Sequence, residues 1–145
     1  MNDLLLEPGS EIKIERYAFP LVVQIVLGEK LAFDVSKNLD EGVEFEPGFV
    51  RSNVLSRDVV KLTAIYIDDI EVFSGELDAS DIFVDMTVKD LILPEATKML
   101  CGRQVKKSMR IVGEYTGLVP RGTLKMGNTH VVAILMSGPA IWKPL

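Results

Sequence analysis

The sequence predicts a mainly β protein, a small barrel or sandwich of about eight short strands. Three observations carry this prediction. Apolar and polar residues alternate with a period of two in several segments, as they do on half-buried strands. Turn-forming residues such as Gly28 and Asp68-Asp69 separate these segments at short intervals. Helix signals are confined to one stretch near residues 93–101. At 145 residues the chain has the length of one domain, 1–145.

The N-terminal part contains four predicted strands. Residues 11–17 alternate regularly, whereas Leu21–Leu27 is a nearly continuous apolar run typical of a central strand. Gly28-Glu29-Lys30 closes that run as a turn, and we expect the return strand at Leu31–Val35. A short strand follows at residues 43–46, and residues 47–58 are predicted to form a loop.

The middle of the chain has the pattern of a three-stranded meander. Residues 59–67 alternate most clearly, and Asp68-Asp69 turns the chain into residues 70–73. After the polar turn at residues 78–81, a third strand is expected at residues 82–88.

The C-terminal third predicts one helix, two strands and a tail. Pro94 suits the first turn of a helix and Gly102 suits the residue after its end, so the helix covers residues 93–101. Strands are expected at 108–115 and 129–136. Two prolines in residues 138–145 predict an extended C-terminal tail.

Charge and composition restrict the class of protein. The net charge is −5, which does not favour a nucleic-acid binder, and no apolar stretch approaches the ~20 residues of a membrane helix. A single cysteine and an N-terminus without signal-peptide features predict a cytoplasmic protein. Residues 1–97 hold 20 acidic and 8 basic side chains, and residues 98–145 hold 1 and 8. This split indicates an acidic partner or complementary protomers, or else charges that interleave on one surface.

The search for chemistry yields no catalytic, cofactor or metal residues. His130 opens an apolar strand without a second histidine or cysteine at ligand spacing, and Cys101 lies among apolar residues without an assignable base. Nucleotide-binding and hydrolase motifs are missing. The acidic stretch 68–90 matches no fixed Ca²⁺ spacing and suits a solvated face.

Two groups of residues are candidates for contacts with a protein partner. The first is a terminal pair between two prolines, which either folds back onto the core or docks on a neighbour as interface aromatics do: Ile141 and Trp142. The second is a basic set that offers a surface to an acidic protein: Arg103, Lys106, Lys107 and Arg110.

Residues 19–88 resemble the SpoA-type domain of flagellar motor switch and type III secretion ring proteins. Phe19–Gly28 resembles the opening strand of that family, with proline first and Leu-Gly last. Leu39–Phe45 resembles the approach to its second strand, and residues 60–76 resemble its hairpin with a Gly-Glu return. Asp68-Asp69 replaces the usual Asn-Gly, and residues 93–145 have no counterpart. The resemblance implies an intertwined β dimer, a building block of a protein ring without enzymatic activity.

The sequence therefore favours a non-catalytic binding or assembly module that forms homo-oligomers or joins other protein subunits. The alternative is a small enzyme or ligand-binding barrel whose polar groups are scattered over several strands. A pocket that gathers Asp85, Glu114 or His130 would favour this alternative, because convergent titratable groups in a cleft indicate a site.

Overall fold

A computed structural model describes residues 11–87, 100–119 and 127–143, and it shows two antiparallel β-sheets packed face to face. A single turn of 3-10 helix, Ala79–Asp81, lies among the strands. The strands of the described part are β1 (Ile12–Val26), β2 (Leu31–Asn38), β3 (Val43–Phe45), β4 (Phe49–Ser52), β5 (Val60–Ile67), β6 (Ile70–Asp78), β7 (Phe83–Asp85), β8 (Ser108–Tyr115) and β9 (Thr129–Trp142).

The first sheet is organised around β9. One edge of β9 pairs with β1 along nearly its whole length, from Ile12 opposite Trp142 to Val26 opposite Thr129. The other edge pairs with β4 and then with β3, and β7 extends the sheet beyond β4. The strand order is therefore β1-β9-β4-β7, with β3 also beside β9.

The second sheet has the order β2-β8-β5-β6, and all of its pairs are antiparallel. Asp68 and Asp69 connect β5 to β6, both with positive φ, at 52° and 66°. Consecutive residues in the left-handed region match a two-residue hairpin turn of type I′, whose twist agrees with that of the flanking strands.

Alternate residues of the two sheets form one hydrophobic core. From β1 the buried side chains are Phe19, Leu21, Val23 and Ile25, and from β9 they include Ile134 and Met136. The second sheet contributes Leu62, Ile65, Met109, Ile111 and Tyr115. The Tyr115 hydroxyl donates to the carbonyl of Leu118 and accepts from the Gly28 N–H, so this buried aromatic residue also satisfies its polar atom.

The sandwich prediction is confirmed, because the sheets remain separate layers and do not close into a barrel. Two local predictions are wrong. The expected loop at 47–58 contains β4, which is buried at Val50 between β9 and β7. The expected meander at 59–88 stops after two strands, since β7 leaves the hairpin and pairs with β4 in the other sheet. Both errors concern pairings between residues distant in sequence, which local patterns do not encode.

The predicted helix at 93–101 falls mostly outside the described residues. Its last two positions, Leu100 and Cys101, lie in a turn and a bend. In the segment expected to be a tail, residues 138–142 are extended and form the last part of β9, paired with β1 and β3. Residues 144–145 lie outside the described part.

Candidate protein-contact face

The outer face of the first sheet is apolar, although it points away from the core. Its exposed side chains are large: Val22 is 51% exposed, Val131 49%, Leu135 46% and Phe83 42%. Half-buried residues complete the surface. We name this surface the apolar face and define it by these residues: Pro20, Val22, Phe49, Phe83, Val131, Ala133 and Leu135.

The strand register brings these residues together in rows. Pro20 lies opposite Leu135, and Val22 lies opposite Ala133 on the neighbouring strand. Leu135 in turn lies opposite Arg51, which lies opposite Phe83. Pro20, Leu135, Arg51 and Phe83 therefore form one row across four strands, because residues directly opposite each other in an antiparallel sheet point to the same face.

An aromatic pair marks the β4–β7 end of the apolar face. The rings of Phe49 and Phe83 are edge-on, with centroids 5.9 Å apart. This geometry is one that aromatic pairs favour. Phe83 nevertheless remains 42% exposed, so the pair does not bury itself.

The outer face of the second sheet differs, because ion pairs cover it. The Arg110 guanidinium donates to both carboxylate oxygens of Asp34, at 2.7 and 2.6 Å, and lies 4.7 Å from the Tyr66 ring centre. Lys61 donates to Glu76 at 2.7 Å. An antiparallel sheet with one solvated face ordinarily shows this polar surface. Among the residues that the structure describes, the apolar face is thus the less polar of the two outer surfaces, and large exposed apolar patches mark interaction surfaces.

Charged side chains border the residues of the apolar face, among them Arg51, Asp85 and Arg16, which lines a small cleft with Pro20 and Leu135. Arg51 is exposed between Leu135 and Phe83, and no described carboxylate pairs with it. Asp85 lies opposite Phe49. One Asp85 oxygen accepts from the Thr87 hydroxyl at 2.6 Å and from its N–H at 3.0 Å, and these bonds lower the pKa of Asp85.

A groove of about 630 Å³ adjoins the apolar face at Phe49. A β-bulge in β1 between Ile14 and Tyr17 places Glu15 and Arg16 on one wall. Glu46 and Asp85 also line it, together with Gly138. Its volume lies in the range of ligand pockets, but its walls are open to solvent. In the described part of the chain, no group of three or more His, Cys, Asp or Glu residues is arranged to hold a metal ion.

The basic residues predicted to bind a partner are divided between two environments. Lys107 donates to Asp69 at 2.7 Å, and Arg110 is held by Asp34. Both pairs join the basic C-terminal part to the acidic N-terminal part within one molecule. Arg103 and Lys106 are exposed, and no described carboxylate forms an ion pair with either. The basic side chains of the C-terminal part and the acidic side chains of the N-terminal part are therefore partly interleaved on one surface.

The predicted aromatic contact, Ile141–Trp142, lies at the end of β9. Trp142 pairs with Ile12 on one side and Val43 on the other, and it is 39% exposed. A side chain added at Gly42 would approach the Trp142 ring within 3.3 Å, so the indole lies against that glycine. This position agrees with folding back onto the domain and leaves part of the ring open.

The titratable residues considered for a catalytic site do not converge. Asp85 lies opposite Phe49, which in turn lies opposite Ser137 on β9. His130 lies seven residues before Ser137 on the same strand. A strand rises about 3.3 Å per residue, which separates them by roughly 23 Å. Glu114 belongs to β8 of the other sheet. Cys101 is buried, and burial raises the pKa of its thiol to about 11.

Comparison with protein-family models, with curated proteins and with solved structures finds no match. Within the described ranges, no helix has the length and apolar character needed to cross a membrane.

The apolar face was missed at the sequence level, although a signal for it exists. In residues 21–23 and 131–136, the positions that point to one side of the strand and those that point to the other are both apolar. An uninterrupted apolar strand indicates that both of its faces are to be covered. The contributions of Phe49 and Phe83 could not be recognised in this way, because each lies on a short strand that pairs with distant residues.

Proposed function

We propose that this protein is a non-catalytic assembly module that binds protein through the apolar face. The observation that carries the proposal is the contrast between the two outer surfaces of the sandwich. One is covered by Arg110–Asp34 and Lys61–Glu76, and the other presents Val22, Leu135 and Phe83 to solvent. A protein partner would remove these apolar side chains from water, which is the main driving force of association.

Contact through the face is favoured over contact through the open edge of β1. Pro20 has no N–H to offer to an added strand, and its carbonyl already accepts from the Lys37 ammonium at 3.2 Å. Proline and lysine at an edge strand oppose pairing with another chain. The Tyr17 hydroxyl also donates to Asp40 beside this edge, at 2.8 Å.

The test compares the native mass of tagged protein in an extract of its source cells with that of two variants. Leu135→Lys puts a charge at the centre of the apolar face. Ser36→Lys puts the same charge on an exposed position of β2 and serves as the control. We expect the wild type and Ser36→Lys in a complex larger than one chain, and Leu135→Lys at the mass of one chain.

Circular dichroism and urea unfolding of the purified variants establish that both remain folded. The proposal fails if the wild type has the mass of a single chain in the extract, or if folded Leu135→Lys stays in the larger complex.

A ligand-binding function is the second candidate, and the groove beside Phe49 favours it. Glu15, Glu46 and Asp85 line this groove with Arg16 as its counter-charge, which suits a small cationic molecule. A thermal-shift screen of amines against the wild type and Glu46→Gln tests it. A ligand of the groove would stabilise the wild type more than the variant.

A further inference from the structure

We infer that the partner presents an extended basic segment that lies along β9. An apolar side chain of this segment occupies the cleft between Pro20 and Leu135, and lysine or arginine side chains enter the groove beside Phe49. The inference rests on the proposed function and specifies the chemistry of the partner. Its support is a continuous trough in the outer face of the first sheet, the residues that line this trough and their charges.

Three depressions in the outer face of the first sheet join along β9. The cleft, of about 260 Å³, shares Phe49 and Ser137 with the groove of about 630 Å³. That groove shares Pro139 with a third depression of about 380 Å³, which reaches Ile141. We name the whole the β9 trough and define it by four residues of β9 that line it: Leu135, Ser137, Pro139 and Ile141. At about 3.4 Å per residue the trough is roughly 20 Å long, which suits an extended segment of about six residues.

Small residues explain why the outer face is hollow along β9. Ala18 lies opposite Ser137, so this pair fills little space above the sheet. Phe49 lies opposite Ser137 on the other side and lines both the cleft and the groove. An extended segment over the trough would turn every second side chain towards this space.

The end of the β9 trough at Leu135 suits an apolar side chain. Pro20, Leu135 and Phe49 line the cleft there, and Arg16 is the one charged residue among those that line it. Its volume is about 260 Å³, smaller than the ~300–1,000 Å³ of pockets that hold whole small ligands. The cleft therefore fits one side chain of a partner, and its apolar wall continues into the apolar face.

The middle of the β9 trough has an excess of negative charge. Three carboxylates and one guanidinium line the groove there: Glu15, Glu46, Asp85 and Arg16. In the described part of the chain, none of these four side chains takes part in an ion pair. Arg51 lines none of the three depressions, so a segment in the trough leaves its guanidinium in water. Complementarity of charge therefore favours a basic segment over an acidic one.

Phe49 adds a second attraction for a cation. It lies opposite Asp85 and lines the same groove, so a lysine or arginine side chain there meets a carboxylate and an aromatic ring together. Cations are attracted to the face of an aromatic ring within about 6 Å of its centre. Near Ile141 the attraction is weaker, because the Lys143 ammonium already lies 3.4 Å from Glu44.

The spacing of these features predicts the pattern of the segment. The cleft is at Leu135, Phe49 lies opposite Ser137, and the Glu46 N–H donates to the Pro139 carbonyl at 3.0 Å. Each of these positions on β9 is two residues from the next. An extended segment aligned with β9 has the same repeat, so an apolar residue followed by basic residues two and four positions away matches the trough.

The test measures binding of peptides to the purified full chain by fluorescence anisotropy, with protein up to about 1 mM so that weak binding is detected. The probe is Gly-Leu-Ser-Lys-Ser-Lys-Gly with blocked ends and a neutral coumarin label. Its reversed sequence is measured too, since a segment can run along β9 in either direction. One control peptide has glutamate in place of both lysines. The other, Gly-Leu-Lys-Lys-Ser-Ser-Gly, keeps the composition and loses the two-residue spacing.

We expect the probe, in one of its two directions, to bind roughly tenfold or more tightly than the glutamate peptide, because two charges change sign. It should bind about threefold more tightly than the peptide with altered spacing, since only one of the two lysines then meets the groove. Glu15→Gln and Glu46→Gln should each weaken the probe about threefold, and together roughly tenfold, because each removes one exposed charge. Glu29→Gln removes the same charge in the turn between β1 and β2 and should leave binding unchanged.

Circular dichroism and urea unfolding establish that these variants remain folded. The inference is overturned if neither direction of the probe binds, if the glutamate peptide binds as tightly, or if the variant with both Glu15→Gln and Glu46→Gln binds as the wild type does. Equal binding of the two lysine peptides of the same composition overturns the alignment with β9.

The extract experiment distinguishes these failures from failure of the proposed function. Without peptide binding, a complex in the extract that Leu135→Lys abolishes overturns the basic segment and still supports contact through the apolar face. Peptide binding that depends on Glu15 and Glu46, beside an extract complex that folded Leu135→Lys leaves intact, supports the peptide site and overturns the proposed function.

Discussion

The Asp68 carboxylate accepts a hydrogen bond of 2.6 Å from the backbone N–H of Lys107. The same carboxylate also accepts from the N–H groups of Lys106 and Ser108. A turn residue of β5–β6 thus anchors the segment that leads into β8. The Asp68 N–H donates to the Ser108 carbonyl at 2.9 Å, so the contact is reciprocal.

We expect Asp68→Gly to lower the free energy of unfolding by about 1 kcal/mol, since the partly buried N–H of Ser108 and the exposed N–H groups of Lys106 and Lys107 lose their acceptor. Glycine adopts the φ of 52° without strain, and Asp69→Gly adds the same entropy to the unfolded chain, so the difference between the two variants reports on the Asp68 carboxylate. Asp69→Gly, at the next turn position, should cost less. Urea unfolding of the three proteins provides the comparison. Equal stability of Asp68→Gly and the wild type would show that the anchor contributes nothing.

At Gly138, β9 lies close to the backbone of the segment between β3 and β4. A Cβ at Gly138 would collide with the Glu46 carbonyl oxygen, whereas one at Gly48 would meet nothing within 4 Å. We expect Gly138→Ala to destabilise the fold by about 1–3 kcal/mol through overpacking. Gly48→Ala should stay within a few tenths of the wild type. Thermal unfolding of both variants decides, and similar losses would mean that the close approach is not the cause.

Cys101 should react with a thiol reagent only after unfolding. Burial, and secondarily the negative charge of Asp85, raises the pKa of the thiol from 9.0 to about 11. A raised pKa in the folded state contributes stability below pH 9, and this contribution is lost as the pH rises towards 11. The stability difference between the wild type and Cys101→Ala should therefore shrink over this range. A constant difference, or rapid labelling of native protein at pH 8, would contradict this prediction.

Trp142 provides a fluorescence test of the two interpretations given to the C-terminal segment. It lies five residues beyond Ser137 on β9, roughly 17 Å from the row of Phe49. Its emission maximum should therefore stay constant in a dilution series of the purified protein. A red shift on dilution would place the indole in a contact with another molecule, because its exposure would then depend on association.

Local features of the fold were predictable, and distant pairings were not. The β5 strand and the Asp68-Asp69 turn follow from alternation and turn residues, which act between near neighbours. Residues 11–17 and 21–27 were predicted as two strands, but β1 runs through both of them and through Pro20. An edge strand tolerates a proline whose missing N–H would have faced outward.

The apolar face was less predictable, because it depends on which residues of neighbouring strands lie opposite each other. Val22 and Leu135 are ordinary strand residues in the sequence, and only the pairing of β1 with β9 places them on one surface. Arg51 was not singled out for the same reason, since residues 47–58 looked like a loop. The basic residues 103–110 were predicted to bind a partner because they lie close together in the sequence. The counter-charges of Lys107 and Arg110 come from distant segments of the chain.

The position of β9 has a consequence for the order in which the chain folds. Because β1, β3 and β4 all pair with residues 129–142, the first sheet cannot assemble during synthesis until these residues have left the ribosome. The hairpin of β5 and β6 has no such delay. Until then the β9-facing edges of β1 and β4 stay unpaired in the nascent chain, a state in which strands are prone to aggregate.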